Sequence, residues 1–358
     1  MFAALAAASP AAALTPGSLE ADAVAVAPRN SSRVVVLAHD ASRAGGVWTV
    51  TSDDGGATWS APVGPGRGDP PSGAAVLGSG DAMLAVIGGV TYRSVDGGAI
   101  WRLSLRTRFG VASVVASATN PTSAWAVSSL GNIYRSPDAG RTWRRVTPRG
   151  AASCTSVATQ PGTSVVLATC TWNMWRSADA GRTWRLVRHL PAPRRGSIAY
   201  GMFETVVFDP GNPRIAMANG FTQGVDRARL WRSTDGGRTW RAVAAPGVSR
   251  RGLQVGSEPV RGEIRVTAGA GRVIAGPYTT GGGPLSTGGA AVILTSPDTG
   301  RTWRIEDMDP LDAPGLAAGS STALFMPTTA RGGAILTGGP SASGWQPVVF
   351  DPPAAAPA

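Results

Sequence analysis

The octapeptide pattern Ser-x-Asp-x-Gly-x-Thr-Trp recurs along the chain at a nearly constant interval, and this repetition limits the fold more than any other property. It stands complete at Ser52–Trp59, Ser136–Trp143, Ser177–Trp184, Ser233–Trp240 and Ser296–Trp303. A sixth copy, Ser94–Trp101, carries Ile100 in place of the threonine. The tryptophans Trp59, Trp101, Trp143, Trp184, Trp240 and Trp303 are separated by steps of 42, 42, 41, 56 and 63 residues. One more step of 42 from Trp303 reaches Trp345, where an apolar stretch and the tryptophan persist but the Asp-Gly turn is lost. The chain reads as seven units, the last degenerate, on a period of ~42 residues that suits propeller blades.

Within each unit the order of features is constant. The third unit has apolar stretches at 113–118, 124–128 and 133–136, and a last stretch that begins at Trp143. Asn120-Pro121, Gly131-Asn132 and the Asp-Gly box separate them. Short apolar runs bounded by Gly, Pro, Asn and Asp read as strands joined by turns. Four strands per unit, repeated seven times, predict an all-β fold, a single β-propeller over residues 21–351 with tails at 1–20 and 352–358. The box joins the third and fourth strands of each unit. Asp54, Asp96, Asp138, Asp179, Asp235 and Asp298 are expected to bond nearby backbone N–H groups, while the box glycine takes a positive φ. The tryptophan buries a large ring beside the turn. A reactive site is seldom copied six times, whereas a turn is needed once per blade, so the boxes are read as architecture.

The chain has 358 residues, with 48 glycines and 28 prolines, and 43% are hydrophobic; this suits a turn-dense β protein. All 33 basic residues are arginine, for a net charge of +11. Many recur in the repeat frame, where charge discourages edge-to-edge pairing of strands. A polyanion surface is the functional alternative. The spread of arginines around the repeats, without a recognition helix or aromatic RNA-binding signature, speaks against nucleic acid. The first residues, MFAALAAASPAAALTPG, resemble the end of a signal peptide, so an exported, monomeric protein is expected. No stretch has the ~18 uninterrupted apolar residues of a membrane span. Cys154 and Cys170 flank a turn at Gln160-Pro161-Gly162 and fall opposite each other or one position off register. A disulfide or two buried thiols both fit. Two cysteines and two histidines far apart give no zinc pattern, and neither cofactor nor metal is expected.

The boxes resemble the Asp-box, or bacterial neuraminidase repeat, of sialidases, xyloglucan hydrolases, sortilin-type receptors and photosystem assembly-factor propellers. The stretch FDPGNPRIAMANG…LWRSTDGGRTW is similar to the xyloglucanase and sortilin style of repeat. The resemblance implies boxes at the blade periphery, away from any catalytic centre. A sialidase would need an arginine triad, a tyrosine nucleophile with its glutamate, and an aspartate acid. The early arginines Arg29 and Arg33 lie in no Arg-Ile-Pro-like motif, whereas Glu258, Arg261 and Tyr278 keep suitable residue types in order. Xyloglucanases resemble two fused propellers, and one propeller lacks the second wall of their cleft.

The long steps mark insertions in the fifth and sixth units, and function concentrates in such loops. Arg195, Arg227 and Arg251 are candidates for holding an anion there, Glu204 and Asp226 for bonding sugar hydroxyls, and Tyr200 for stacking on a sugar face. The expectation is a non-catalytic module that binds a glycan or a protein, with a sialidase-like glycoside hydrolase as the alternative.

Overall fold

A computed structural model describes residues 19–40, 46–64, 69–80, 82–190, 201–222 and 227–243, and shorter stretches between 248 and 348. The described residues contain strands and no helix. The first sheet holds β1 (Leu19–Ala27), β2 (Asn30–Asp40) and β3 (Val47–Ser52). The second holds β4 (Pro71–Leu77), β5 (Ala82–Ile87), β6 (Val90–Ser94) and β7 (Arg102–Leu105). The third is β8 (Val111–Ala116), β9 (Ala124–Ser128), β10 (Ile133–Ser136) and β11 (Arg144–Arg145). The fourth is β12 (Cys154–Thr159), β13 (Val166–Cys170), β14 (Asn173–Ser177) and β15 (Arg185–His189). The fifth is β16 (Gly201–Phe208), β17 (Ala216–Thr222), β18 (Arg227–Ser233) and β19 (Arg241–Val243). A small sheet follows, of β20 (Val248–Ser249), β21 (Gly252–Val255) and β22 (Glu258–Pro259). Then come β23 (Glu263–Val266), β24 (Val273–Thr279), β25 (Ala291–Ser296) and β26 (Arg304–Met308). The last sheet is β27 (Ala317–Ala318), β28 (Leu324–Pro327), β29 (Ile335–Gly338) and β30 (Gln346–Val348).

Every described strand pair is antiparallel, and strands follow one another in chain order across each sheet. The first strands β1, β4, β8, β12, β16, β23 and β27 lie each beside the next, and β27 lies beside β1. The sheets therefore radiate from a closed ring. Among the described residues the last sheet is built from the C-terminal segment alone, and β1 packs on its strands β27 and β28 without joining their sheet.

The core lies between the sheets. Leu77, Leu84 and Val86 of the second sheet pack with Val111, Val114 and Ala126 of the third. Trp125 and Ile133 of the third meet Cys154, Val157 and Val166 of the fourth. Leu167 and Met174 of the fourth meet Phe203 and Trp231 of the fifth. The second, third and fourth sheets are covered on both faces, so second strands such as β9 (AWAVS) and β13 (VLATC) are buried along their whole length. Strands covered on both faces read as continuous apolar runs, not alternating ones.

Each box forms the same closed turn. In the fourth sheet the Ser177 hydroxyl donates to Asp179 Oδ1 at 2.7 Å and accepts the Gly181 N–H at 2.8 Å. The Thr183 N–H donates to Asp179 Oδ1 at 2.8 Å, and its hydroxyl to Oδ2 at 2.6 Å. Gly181 sits at φ +82° with a neighbouring ring against its Cα, which leaves no place for a side chain. The same bonds recur around Asp54, Asp138, Asp235 and Asp298. At Asp96, Ile100 supplies its N–H but no hydroxyl. The tryptophans reach further than the turn. Trp143 Nε1 donates to Ser104 Oγ, and Trp184 Nε1 to the Val146 carbonyl, each on the preceding sheet. Trp240 and Trp303 bond their own box carbonyls at Gly237 and Gly300.

These bonds stabilise the ionised carboxylates. At Asp179 the hydroxyl and N–H of Thr183 outweigh burial and bring the pKa from 3.8 to about 2. At Asp138 and Asp235 burial acts upward, but bonds from Thr142 and Ser136, and from Thr239 and Ser233, prevail and hold both at about 2. A pKa lowered on folding adds stability above the unfolded value that is lost as pH falls through the folded one. The denaturation midpoint is therefore expected to hold down to pH near 4 and to fall steeply between about 4 and 2. A midpoint that stays level through this window would show that the box carboxylates are not held in this way.

Candidate functional site

The ring of first strands surrounds the axis, and five of them, β1, β4, β8, β12 and β16, carry a ladder irregularity near the start, whereas the described pairings of β23 and β27 run without one. The register slips between Ala21 and Ala23 on β1, Pro71 and Gly73 on β4, and Val111 and Ser113 on β8. It slips again between Cys154 and Ser156 on β12, and between Phe203 and Val206 on β16. Bulges bend a strand and re-aim the extra residue. The residues so placed are Asp22, Ser72, Ala112, Thr155 and the pair Glu204-Thr205. Two of these bulge residues are carboxylates, Asp22 on the first sheet and Glu204 on the fifth.

Both are held by the second strand of their own sheet. His39 Nδ1 on β2 lies 2.7 Å from Asp22 Oδ2. Asn219 Nδ2 on β17 donates to Glu204 Oε2 at 2.9 Å, and Asn219 itself is buried. The Thr205 N–H and hydroxyl both donate to Asn219 Oδ1, at 2.9 and 2.6 Å. The neighbouring Thr155 hydroxyl donates to the Phe203 carbonyl at 2.7 Å. Glu204 is therefore a half-buried, oriented acceptor, suited to bonding a hydroxyl or an amide. Asn219 and His39 orient these acids and were not singled out from the sequence. A polar residue inside the apolar run AMANG was the available signal.

The remaining candidates fall less simply. Arg195, Tyr200, Asp226, Arg251 and Arg261 lie outside the described residues. Arg227, Glu258 and Tyr278, expected in insertion loops, are strand residues instead. Arg227 pairs with Thr222, because the insertion after β17 extends the β17–β18 hairpin. Glu258 pairs with Val255 in the small sheet, where turn-separated apolar residues found their own partners. Tyr278 pairs with Val292, just past a bulge in β24. Glu258 and Tyr278 thus belong to different sheets. On β12 and β13, Cys154 and Cys170 are directly opposite, and their sulfur atoms are bonded. Among the described residues no cluster of His, Cys, Asp and Glu is disposed to hold a metal ion, and no helix is long and apolar enough to cross a membrane.

Residues 131–252 match the family model of sortilin, neurotensin receptor 3 (Sortilin-Vps10). No curated protein sequence matches the chain. Among solved structures, YCF48 from Cyanidioschyzon merolae is 15% identical, with 92% of this chain covering 97% of that one at a TM-score of 0.55. YCF48 bound to D1 peptide is likewise 15% identical, covering 92% of this chain and 93% of that one at 0.53. An ancestral GH74 enzyme is 14% identical at 0.59, and 91% of this chain spans only 46% of it. At these identities the likeness concerns the fold, and the chain is a β-propeller similar to those of sortilin and YCF48.

Proposed function

We propose that the chain is an exported, monomeric propeller of seven Asp-box blades that binds a glycan or a protein partner without chemical turnover. One observation carries this reading: the make-up of the ring of first strands. Across the described residues of the seven first strands there is no tyrosine and a single arginine, Arg265 on β23, beside the acids Glu20, Asp22, Glu204 and Glu263. Capture of a carboxylated sugar at the axis calls for guanidinium forks, and tyrosine-dependent sialoside cleavage calls for a phenol beside them. The boxes spend their Ser, Asp and Thr groups on their own turns. Acceptors such as Glu204 are suited to hydroxyls and amides. A YCF48 structure with a bound D1 peptide illustrates that a propeller of this fold can hold a polypeptide. The insertions between β15 and β24, with Arg195, Tyr200, Asp226, Arg251 and Arg261, are the expected contact surface.

A sialidase-type hydrolase built on Glu258, Arg261 and Tyr278 is the competing reading. A fluorogenic sialoside assay on the purified chain separates the two. No release above background is expected. Turnover that Tyr278→Phe abolishes would replace the binding reading with the enzymatic one.

A further inference from the structure

Four arginines occupy the same place in successive sheets, one residue before the box serine: Arg93, Arg135, Arg176 and Arg232. Arg93 Nε donates to the Ala139 carbonyl at 2.6 Å, Arg176 Nε to Gly236 at 2.9 Å, and Arg232 Nε to Thr299 at 2.7 Å. Each acceptor is the fourth residue of the next box, so these three arginines clamp one sheet to its neighbour. Arg135 breaks the series. The equivalent acceptor is the Ala180 carbonyl, yet Arg135 Nε is shut from water with no hydrogen-bond partner. One terminal nitrogen makes a long 3.4 Å contact with Ser123 Oγ.

The cause lies one strand away. The residue paired with the arginine is Leu84, Leu167 or Met217 in the clamped sheets. Each of these side chains sits under the next box glycine, at Gly140, Gly237 and Gly300. In the third sheet the paired residue is Trp125, and its ring lies under Gly181. The Arg135 guanidinium carbon is 5.8 Å from the Trp125 ring centroid. The arginine is taken by the indole face, and the clamp is not made. Two residues before Trp125 stands Ser123, where the other sheets have Ala82, Val165 and Ile215.

Where the clamp is missing, a pocket of about 210 Å³ opens between the third and fourth sheets. Trp125, Arg135 and Ser123 line one side, and Thr159, Ser164 and Ala180 the other. Each of the four arginines feels the arginine of the next box, Arg141, Arg182, Arg238 or Arg301; Arg93, Arg176 and Arg232 also feel its aspartate, Asp138, Asp235 or Asp298, whereas the charges acting on Arg135 are Arg182 and Arg144. The pocket is thus electropositive, with the unclamped Arg135 side chain in its wall and hydroxyls around it. We propose that it binds a small oxyanionic group, a carboxylate or a sulfate, at the Arg135 guanidinium. Its volume is below the roughly 300–1,000 Å³ of drug-sized sites, which selects a single group such as one sugar acid over an oligosaccharide. The site uses none of the residues assigned to the insertions and none of the bulge residues of the first strands, meeting that ring only at Thr159, the last residue of β12, so it stands apart from the binding reading above.

Ligand-detected NMR on the full chain tests it, with glucuronate, inorganic sulfate and neutral glucose as probes. Chloride near 0.15 M limits the screening length to about 8 Å and suppresses non-specific attraction to the +11 chain. Glucuronate or sulfate is expected to bind and glucose is not; which anion binds tells carboxylate from sulfate. Arg135→Gln should weaken binding about tenfold or more, since a charge-assisted bond is lost. Arg135→Lys, which keeps the charge but not the fork, should weaken it as well. Arg176→Gln, at a closed seam, should leave it unchanged. Trp125→Leu restores the arrangement of the clamped sheets and should close the pocket. Absence of oxyanion binding at millimolar concentration overturns the proposal, and so does binding that Arg135→Gln leaves intact.

Discussion

Gly131→Ala is expected to destabilise the fold by about 3 kcal/mol or more. The residue sits at φ +73°, and a Cβ there would fall on the backbone of Ser153 and Cys154 in the next sheet. Its carbonyl also accepts the Cys154 N–H at 3.1 Å, so the approach is fixed from both sides. An L side chain in this conformation costs about 1–2 kcal/mol, and overpacking against a backbone that cannot yield adds about 1–3. Gly97→Ala is the control. Gly97 has a similar φ of +71° with open space around it, so only the conformational cost of about 1 kcal/mol applies. Denaturant unfolding of the two variants separates the terms. Equal losses would mean that the seam between the third and fourth sheets is not closely packed at Gly131.

The second large effect concerns the same seam. Replacing Cys154 and Cys170 by serine should cost about 3 kcal/mol, the loop-closure value for a loop of this size, since the bond spans a sequence separation of 16. Both residues are buried and belong to the cluster with Trp125 and Val157, so the thiol-to-hydroxyl change adds to the loss. Unfolding with and without reductant reads the effect in the unaltered chain. A midpoint indifferent to reductant would show that the thiols, and not the bond, occupy this site.

Much of the architecture could be read from the residues because each blade repeats its own evidence. The Asp-Gly boxes gave the spacing and the hairpin between third and fourth strands. For the third unit the stretches at 124–128 and 133–136 coincide with β9 and β10. The N-terminal boundary was less visible: β1 begins at Leu19, inside the stretch expected to be a tail. Alanine-rich strands such as LEADAVAVA carry little β signal of their own and depend on tertiary cover. The bulges were hidden for a similar reason. One extra residue on a strand changes no composition, yet it decides that Thr155 and Glu204 turn aside from the ladder. The insertions misled in the other direction. Gly- and Arg-rich segments read as loops, but Arg227, Glu258 and Tyr278 found strand partners. The seam pocket was legible only by comparing units. Trp125 is unremarkable alone and informative beside Leu84, Leu167 and Met217.

The repeated aspartates are expected to build turns and to perform no chemistry, and the direct test is the unfolding midpoint of six single variants: Asp54→Ala, Asp96→Ala, Asp138→Ala, Asp179→Ala, Asp235→Ala and Asp298→Ala. A loss of stability at every position is expected. The smallest should occur at Asp96, whose neighbour Ile100 offers no hydroxyl to its carboxylate. A box aspartate whose removal leaves the midpoint unmoved would contradict the claim and mark that carboxylate as free for another role.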